Sequence, residues 1–232
     1  MPACVAPFIY EALAMLCLRH WNGSHPWSDL DVFSGGFFGV TLAVLVYQTA
    51  LKLRVLRCPE ILREASGSNY DPGTVVWGSA LFIFDLVIFL DYGHWHSIPV
   101  LRRPPLQAAG LMVYTLATLA LIWTDTHLAR YFSDKTKNRE LLSAGPFAVV
   151  RHPRYASLLL AKLGIGLIFA SIFAWMSLIA SILLYRRRIR LEEAHLMKLF
   201  GAEYRAYAER IPAMLPRIYR SSGSLSQSPP DI

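Results

Sequence analysis

The chain has 232 residues, of which 54% are hydrophobic and only 17% charged, where a soluble domain carries about 25% charged residues. With a mean hydropathy of +0.37 this excludes a disordered chain, a collagen and a disulfide scaffold, and three cysteines (Cys4, Cys17, Cys58) without pairing spacing point to neither a disulfide framework nor a zinc site. A net charge of +7 would suit nucleic acid, but the 23 Lys and Arg fall between the apolar stretches, so no nucleic-acid partner is expected and the charge reads as an orientation signal for membrane insertion.

In chain order, apolar spans are predicted at residues 5–19, 33–51, 74–91 and 106–123, each long enough for a hydrocarbon core of about 30 Å. No Lys or Arg precedes Arg19 and no small-residue cleavage site follows, so the first span does not read as a cleaved signal peptide. A fifth apolar block, Ala156 to Tyr185, would be about 45 Å long as one straight helix, well beyond one span. It is therefore read as two helices, 154–169 and 173–198, turning near Ala170–Phe173, with a single long tilted helix as the alternative. No Gly or Pro marks that turn. A helix over 202–210 follows Gly201 and closes at Pro212, and the tail 221–232 is Ser- and Pro-rich and expected to be disordered. Placing 52–73, 124–155 and the chain beyond Tyr185 in the cytoplasm puts 19 of the 23 positive residues inside, with both termini inside. The predicted fold is thus an all-α integral membrane protein of about four spans plus a C-terminal helical hairpin and cytoplasmic helices. It divides into N-terminal spans (1–124), a second half of the same membrane domain (125–220) and the tail (221–232).

Several constellations carry no chemistry. Gly164-x-Gly166 is a lone pair in an apolar helix with Phe169 at the third position and no preceding strand, so no Rossmann domain is expected. Gly35, Gly36 and Gly39 suggest close helix packing. Asp91 to His96 (DYGHWH) reads as an interfacial aromatic belt rather than a metal site. Asp125 and His127 read as a polar cap. Asp85 and Lys162 lie at membrane depth, where ionisable residues pair with each other or contact substrate. Residues 141–155 (LLSAGPFAVVRHPRY) are more informative. Gly145-Pro146 makes a turn, Pro153 suits the first turn of a helix, and Arg151, His152 and Tyr155 then cluster at that helix's mouth. Arg188 and Glu192 share one face of the next helix, with Glu193 beside them. On spacing alone, a surface ion pair and lipid-phosphate anchors at Arg151 and Arg154 remain open.

As a set, LLSAGPFAVVRHPRY, the apolar pair of helices, RxxxEE (Arg188, Glu192, Glu193) and LFGAEYRAYAERIP (199–212) resemble the isoprenylcysteine carboxyl methyltransferase family and, more distantly, the phospholipid N-methyltransferases. The resemblance covers about residues 125–218. It implies a membrane methyltransferase that uses S-adenosylmethionine without a Rossmann domain, its cofactor in a cytoplasmic pocket. It places His152, Pro153, Tyr155, Phe147 and Glu192 at the cofactor, Glu192 on its ammonium and His152 on its carboxylate. Arg139, Leu141 and Leu142 would contribute mostly backbone contacts, and Arg188 would face the substrate. No residue is assigned to covalent or acid–base catalysis, because the sulfonium methyl is already activated and the protein need only align and exclude water. Phe147 replaces the family's usual Tyr, Ser157 its frequent Gly, and an upstream Gln contact has no counterpart. The implied reaction is methyl transfer to a carboxylate of a lipid-like, isoprenylcysteine-type small molecule or protein entering from the bilayer. The alternative is N-methylation of a phospholipid amine, for which His195 is the nearby base. A reductase-like or non-catalytic relative is the remaining reading. The implied location is a bacterial inner membrane or, in a eukaryote, the endoplasmic reticulum, the site facing the cytoplasm.

Overall fold

A computed structural model describes residues 31–56, 84–133 and 140–215, with positions 13, 76–77 and 80–81. The predicted span 5–19 apart from residue 13, residues 74–75, 78–79 and 82–83 of the predicted span 74–91, and the tail 221–232 lie outside the described residues. Among those described, every regular element is helical: α1 (Val32–Leu56), α2 (Leu86–Leu90), α3 (Pro104–Ser133), α4 (Pro153–Phe169), α5 (Ile172–Phe200) and α6 (Ala202–Arg210). A π-helical turn (Asp91–Trp95) and 3-10 turns at Pro99–Leu101 and Gly145–Ala148 connect them. Among the described residues, two helices are long and apolar enough to cross a membrane, over Val32–Leu51 and Pro104–Tyr131.

Local chemistry sets the helix ends. Asp31 caps α1, its Oδ1 accepting from the backbone N–H of Phe33 (3.1 Å) and Ser34 (2.7 Å). Pro104 begins α3, and nothing in its sequence breaks the helix before Ser133, so α3 extends ten residues past the predicted end at 123. Between α4 and α5 the chain does not continue as one helix. Ala170 adopts a left-handed conformation (φ 48°), and the Ser171 side chain caps α5 by accepting from the Phe173 N–H at 3.2 Å. A serine N-cap does here what a glycine or proline would otherwise announce.

The core gathers where α1, α2, α3 and α4 meet. Phe37 lies 4.7 Å from Tyr114 and 5.0 Å from Phe169, ring centre to ring centre, and Phe169 lies 5.1 Å from both Phe89 and Tyr92. Gln107 spans this cluster, donating to Ile168 O (3.0 Å) and Tyr92 Oη (3.1 Å). The α3 and α4 backbones touch at two glycines. A Cβ on Gly110 would sit 2.9 Å from Gly164 O, and one on Gly164 would sit 2.8 Å from Gly110 O. The N-terminal glycines divide differently from the expectation. A Cβ on Gly36 would meet Leu111 at 2.8 Å, whereas Gly35 and Gly39 have nothing within 4 Å and are not contact glycines.

α4 and α5 run antiparallel along their length. Gly166 faces Trp175, Lys162 bonds Ser177, Tyr155 stacks on Tyr185, and Arg151, just before α4, reaches Glu193. This pairing carries the start of α4 to the polar half of α5.

Candidate active site

The Gly145–Ala148 turn rests on α3. Gly145 takes φ 62°, and a Cβ there would lie 2.7 Å from the His127 ring, so only glycine fits both backbone and space. The turn is held from the other side by Tyr207 of α6, whose hydroxyl donates to Phe147 O at 2.7 Å. The residues leading into α4 pair with the segment after α6: Arg151 N–H donates to Pro212 O (2.8 Å) and His152 N–H to Ala213 O (2.9 Å). Pro153, buried, then opens α4 at a position where its missing N–H costs nothing.

Two carboxylates of α5 face this junction. Glu193 Oε1 accepts from Arg151 Nε (3.1 Å) and Nη2 (2.8 Å), and lies 3.2 Å from His152 Nε2. Arg151 uses its remaining nitrogen, Nη1, to donate to Ala208 O (2.5 Å) and Ile211 O (2.9 Å) at the end of α6. One guanidinium thus ties α4, α5 and α6 together. Burial pushes the Glu193 carboxyl up, but the bonds from Arg151 and His152 outweigh it and hold the group below the ordinary range. Burial pushes the Tyr207 phenol up to about 12, which keeps it a neutral donor.

Glu192 Oε1 accepts two bonds, from the Tyr155 hydroxyl (2.5 Å) and Arg188 Nε (3.0 Å). Its Oε2 makes a looser contact, 3.7 Å to His152 Nδ1. His152, 6% exposed, therefore turns one ring nitrogen toward each glutamate. Burial works against the Arg188 charge, but Tyr155 and Glu192 raise its proton affinity above the ordinary value.

The structure brings together His152, Pro153, Tyr155, Arg188 and Glu192. Phe147 joins through its carbonyl, bound to Tyr207. Leu141 and Leu142 are half-buried on the approach to the Gly145 turn, and Arg139 lies outside the described residues. Arg154 points elsewhere, pairing with Asp125 at 3.1 Å, and Asp125 also accepts from Gln48. Among the described residues no hydrogen bond or ion pair ties His195 to the cluster. Asp85 and Lys162 do pair, at 2.5 Å, and Asp91 accepts from the Ser97 hydroxyl (2.6 Å) and N–H (3.1 Å). Sequence reasoning left Glu193 and Tyr207 without roles and offered Arg151 only that of a lipid-phosphate anchor. The available signal was the second Glu of the pair and the 199–212 stretch, whose aromatic and carbonyl groups close the site from below.

The phospholipid methyltransferase family pattern matches residues 104–203, which span α3 to the start of α6. The chain is 36% identical over 144 residues to the cobalt-zinc-cadmium resistance protein CzcN of Cupriavidus metallidurans, covering 62% of this chain and 63% of that one. It is 28% identical over 144 residues to the nickel-cobalt-cadmium resistance protein NccN of Alcaligenes xylosoxydans xylosoxydans, covering 62% and 64%. Both matches thus span a little under two thirds of the relative's length. It is also 32% identical over 89 residues to the protein-S-isoprenylcysteine O-methyltransferase of Schizosaccharomyces pombe, covering 37% of each chain. The family match covers α3, α4 and α5, which carry the charged junction, and together with the isoprenylcysteine relatives it marks a similarity to the phospholipid and isoprenylcysteine methyltransferases.

Proposed function

We propose that the protein is an integral membrane methyltransferase that uses S-adenosylmethionine to methylate a carboxylate of a lipid-like, isoprenylcysteine-type substrate. The observation that carries this reading is the arrangement at Glu192. One of its oxygens holds Tyr155 and Arg188, while the other lies 3.7 Å from His152 Nδ1, longer than a hydrogen bond. That second oxygen suits the cofactor's ammonium group, a charge-assisted contact. Arg188, one turn earlier on the same face, suits an anionic group of the acceptor through its planar fork. With both ring nitrogens on glutamates, His152 fixes Glu192 and Glu193 rather than holding the cofactor's carboxylate. The nearby backbone N–H groups and the Leu141–Phe147 approach are left for that end. Tyr155, Pro153 and Phe147 supply walls that keep water out.

S-adenosylmethionine supplies a methyl group on a positively charged sulfur. Transfer of that methyl to a carboxylate oxygen would leave a neutral thioether and would require no proton to move. The protein's work is alignment and exclusion of water, so no base is required. The site would face the cytoplasm, as would both termini, in a bacterial inner membrane or endoplasmic reticulum. In a cysteine-free background, Ser143→Cys should then label from the cytoplasmic side and Val100→Cys from the other. N-methylation of a phospholipid amine, the reading favoured by the family match at 104–203, requires a base to remove a proton. Labelled-methyl transfer from S-adenosylmethionine by purified protein, over a panel of prenyl-thio acids and phospholipid amines, decides between them. Base-labile label on the acids supports ester formation, and base-stable label on the amines alone rejects it.

A further inference from the structure

Helical hydroxyls in this chain generally satisfy themselves by donating to the carbonyl one turn earlier. Thr41 bonds Phe37 O, Thr115 bonds Leu111 O, Thr124 bonds Ala120 O and Ser157 bonds Pro153 O, at 2.8–2.9 Å. Two buried serines of α5 do otherwise. Ser177 donates to Asp85 Oδ1 (2.5 Å) and accepts from Lys162 Nζ (2.8 Å), which also bonds Asp85 Oδ2 (2.5 Å). Ser181, only 1% exposed, has no hydrogen-bond partner for its Oγ among the described residues. A buried hydroxyl without a partner is rare and costly, and such a group in a native fold calls for an explanation.

Position supplies one. At about 100° per residue, Ser177, Ser181, Tyr185, Arg188 and Glu192 all fall within an arc of about 80° on α5. They form a polar stripe that descends from the charged junction into the apolar body of the protein. Ser181 lies about 10 Å along the helix from Arg188, and Ser177 about 16 Å. Lys162 and Asp85 neutralise each other, so the lower end of the stripe offers hydroxyl dipoles rather than net charge.

We propose that Ser181 and Ser177, backed by the Lys162–Asp85 pair, form a second polar subsite that takes an uncharged oxygen, hydroxyl or carbonyl, on the amphiphile's chain about 10 Å from the group bound at Arg188. This rests on the assignment of Arg188 to the acceptor's carboxylate. It adds a requirement that a purely apolar channel would not impose, since a plain hydrocarbon chain leaves the Ser181 hydroxyl unmet while an oxygenated one satisfies it.

The test uses the full-length protein in lipid nanodiscs, saturated with S-adenosylhomocysteine. Binding is measured by calorimetry for amphiphilic carboxylates of equal length, with a plain chain, with one hydroxyl or keto oxygen about 10 Å from the carboxylate, or with that oxygen at the chain end. The 10 Å compound should bind about tenfold more tightly than the other two, equivalent to about 1.4 kcal/mol. In Ser181→Ala that ratio should fall to about one. Equal binding of all three by the natural protein, as expected if Ser181 holds a water, overturns the subsite. So does a preference that survives in Ser181→Ala, or failure of every carboxylate to bind. Methyl transfer is read separately on the same compounds. A binding preference without any transfer would leave the subsite standing and remove the carboxylate methylation reading alone.

Discussion

The two ends of the α4–α5 pair are built from opposite materials. At the turn between them, Phe169 is 1% exposed among Phe37, Phe89 and Tyr92, and the polar groups nearby, Gln107 and Ser171, spend their hydrogen bonds on fixed neutral partners. At the open end, Arg151, His152, Arg188, Glu192 and Glu193 share a small set of charged bonds, and the Glu192 oxygen Oε2 keeps capacity for another donor. At the first end, Gln107 and Ser171 are spent on groups of the fold itself. The second is arranged so that a cation and an anion could each find a counter-charge without moving the backbone. The comparison separates a part that makes the fold from a part that uses it, along the same two helices.

If that separation is right, damage at the two ends should show in different measurements. The largest effect is expected at the aromatic end. Phe169→Ala should cost about 3–5 kcal/mol of stability, read by thermal unfolding in detergent, because a buried ring is replaced by a cavity among rings that cannot follow it. Affinity for S-adenosylhomocysteine in the fraction still folded should stay within about threefold. Arg188→Ala should do the reverse. Turnover should fall at least about tenfold, roughly 1.4 kcal/mol in the barrier, with cofactor affinity shifting less than about threefold. Arg188→Lys should restore only part, since it keeps the charge and loses the planar fork. Normal turnover in Arg188→Ala would instead make this residue a lipid-phosphate anchor beside its basic neighbours Arg186, Arg187 and Arg190.

The smallest effect belongs to Glu193, whose role blurs the division because it serves fold and site together. Its folded pKa lies below the ordinary 4.5, so its contribution to stability is present above that value and is lost as pH falls through the folded one. Glu193→Gln should therefore be less stable than the natural protein at pH 7, with the difference narrowing below about pH 4. Melting curves of both proteins across that range provide the check. A gap independent of pH would mean that the Arg151 contact does not depend on charge.

The parts legible in the sequence were those with local causes. The apolar runs behind α1 and α3 and the shared face of Arg188 and Glu192 follow from helical periodicity and from the absence of breakers. The RHPRY and EE pieces acquired meaning only as a set, and only by resemblance, because each alone also fits a lipid anchor or a surface ion pair. What stayed hidden depends on contacts distant in sequence. Nothing in DYGHWH reveals that Asp91 is spent on Ser97, or that Ser97 in turn accepts from the first N–H of α5. Nothing near Arg151 reveals that it collects the last carbonyls of α6. The left-handed Ala170 is equally silent, since alanine is among the poorest signals for a helix end.

The central claim is that the α4–α5 junction binds S-adenosylmethionine through Glu192. The direct measurement is calorimetric titration of the purified protein and of Glu192→Ala with this cofactor in detergent. Saturable binding by the natural protein is expected, weakened about ten- to 150-fold by the substitution, as loss of a charge-assisted contact worth about 1.5–3 kcal/mol would produce. Binding left unchanged in Glu192→Ala, or absent from the natural protein, would contradict it.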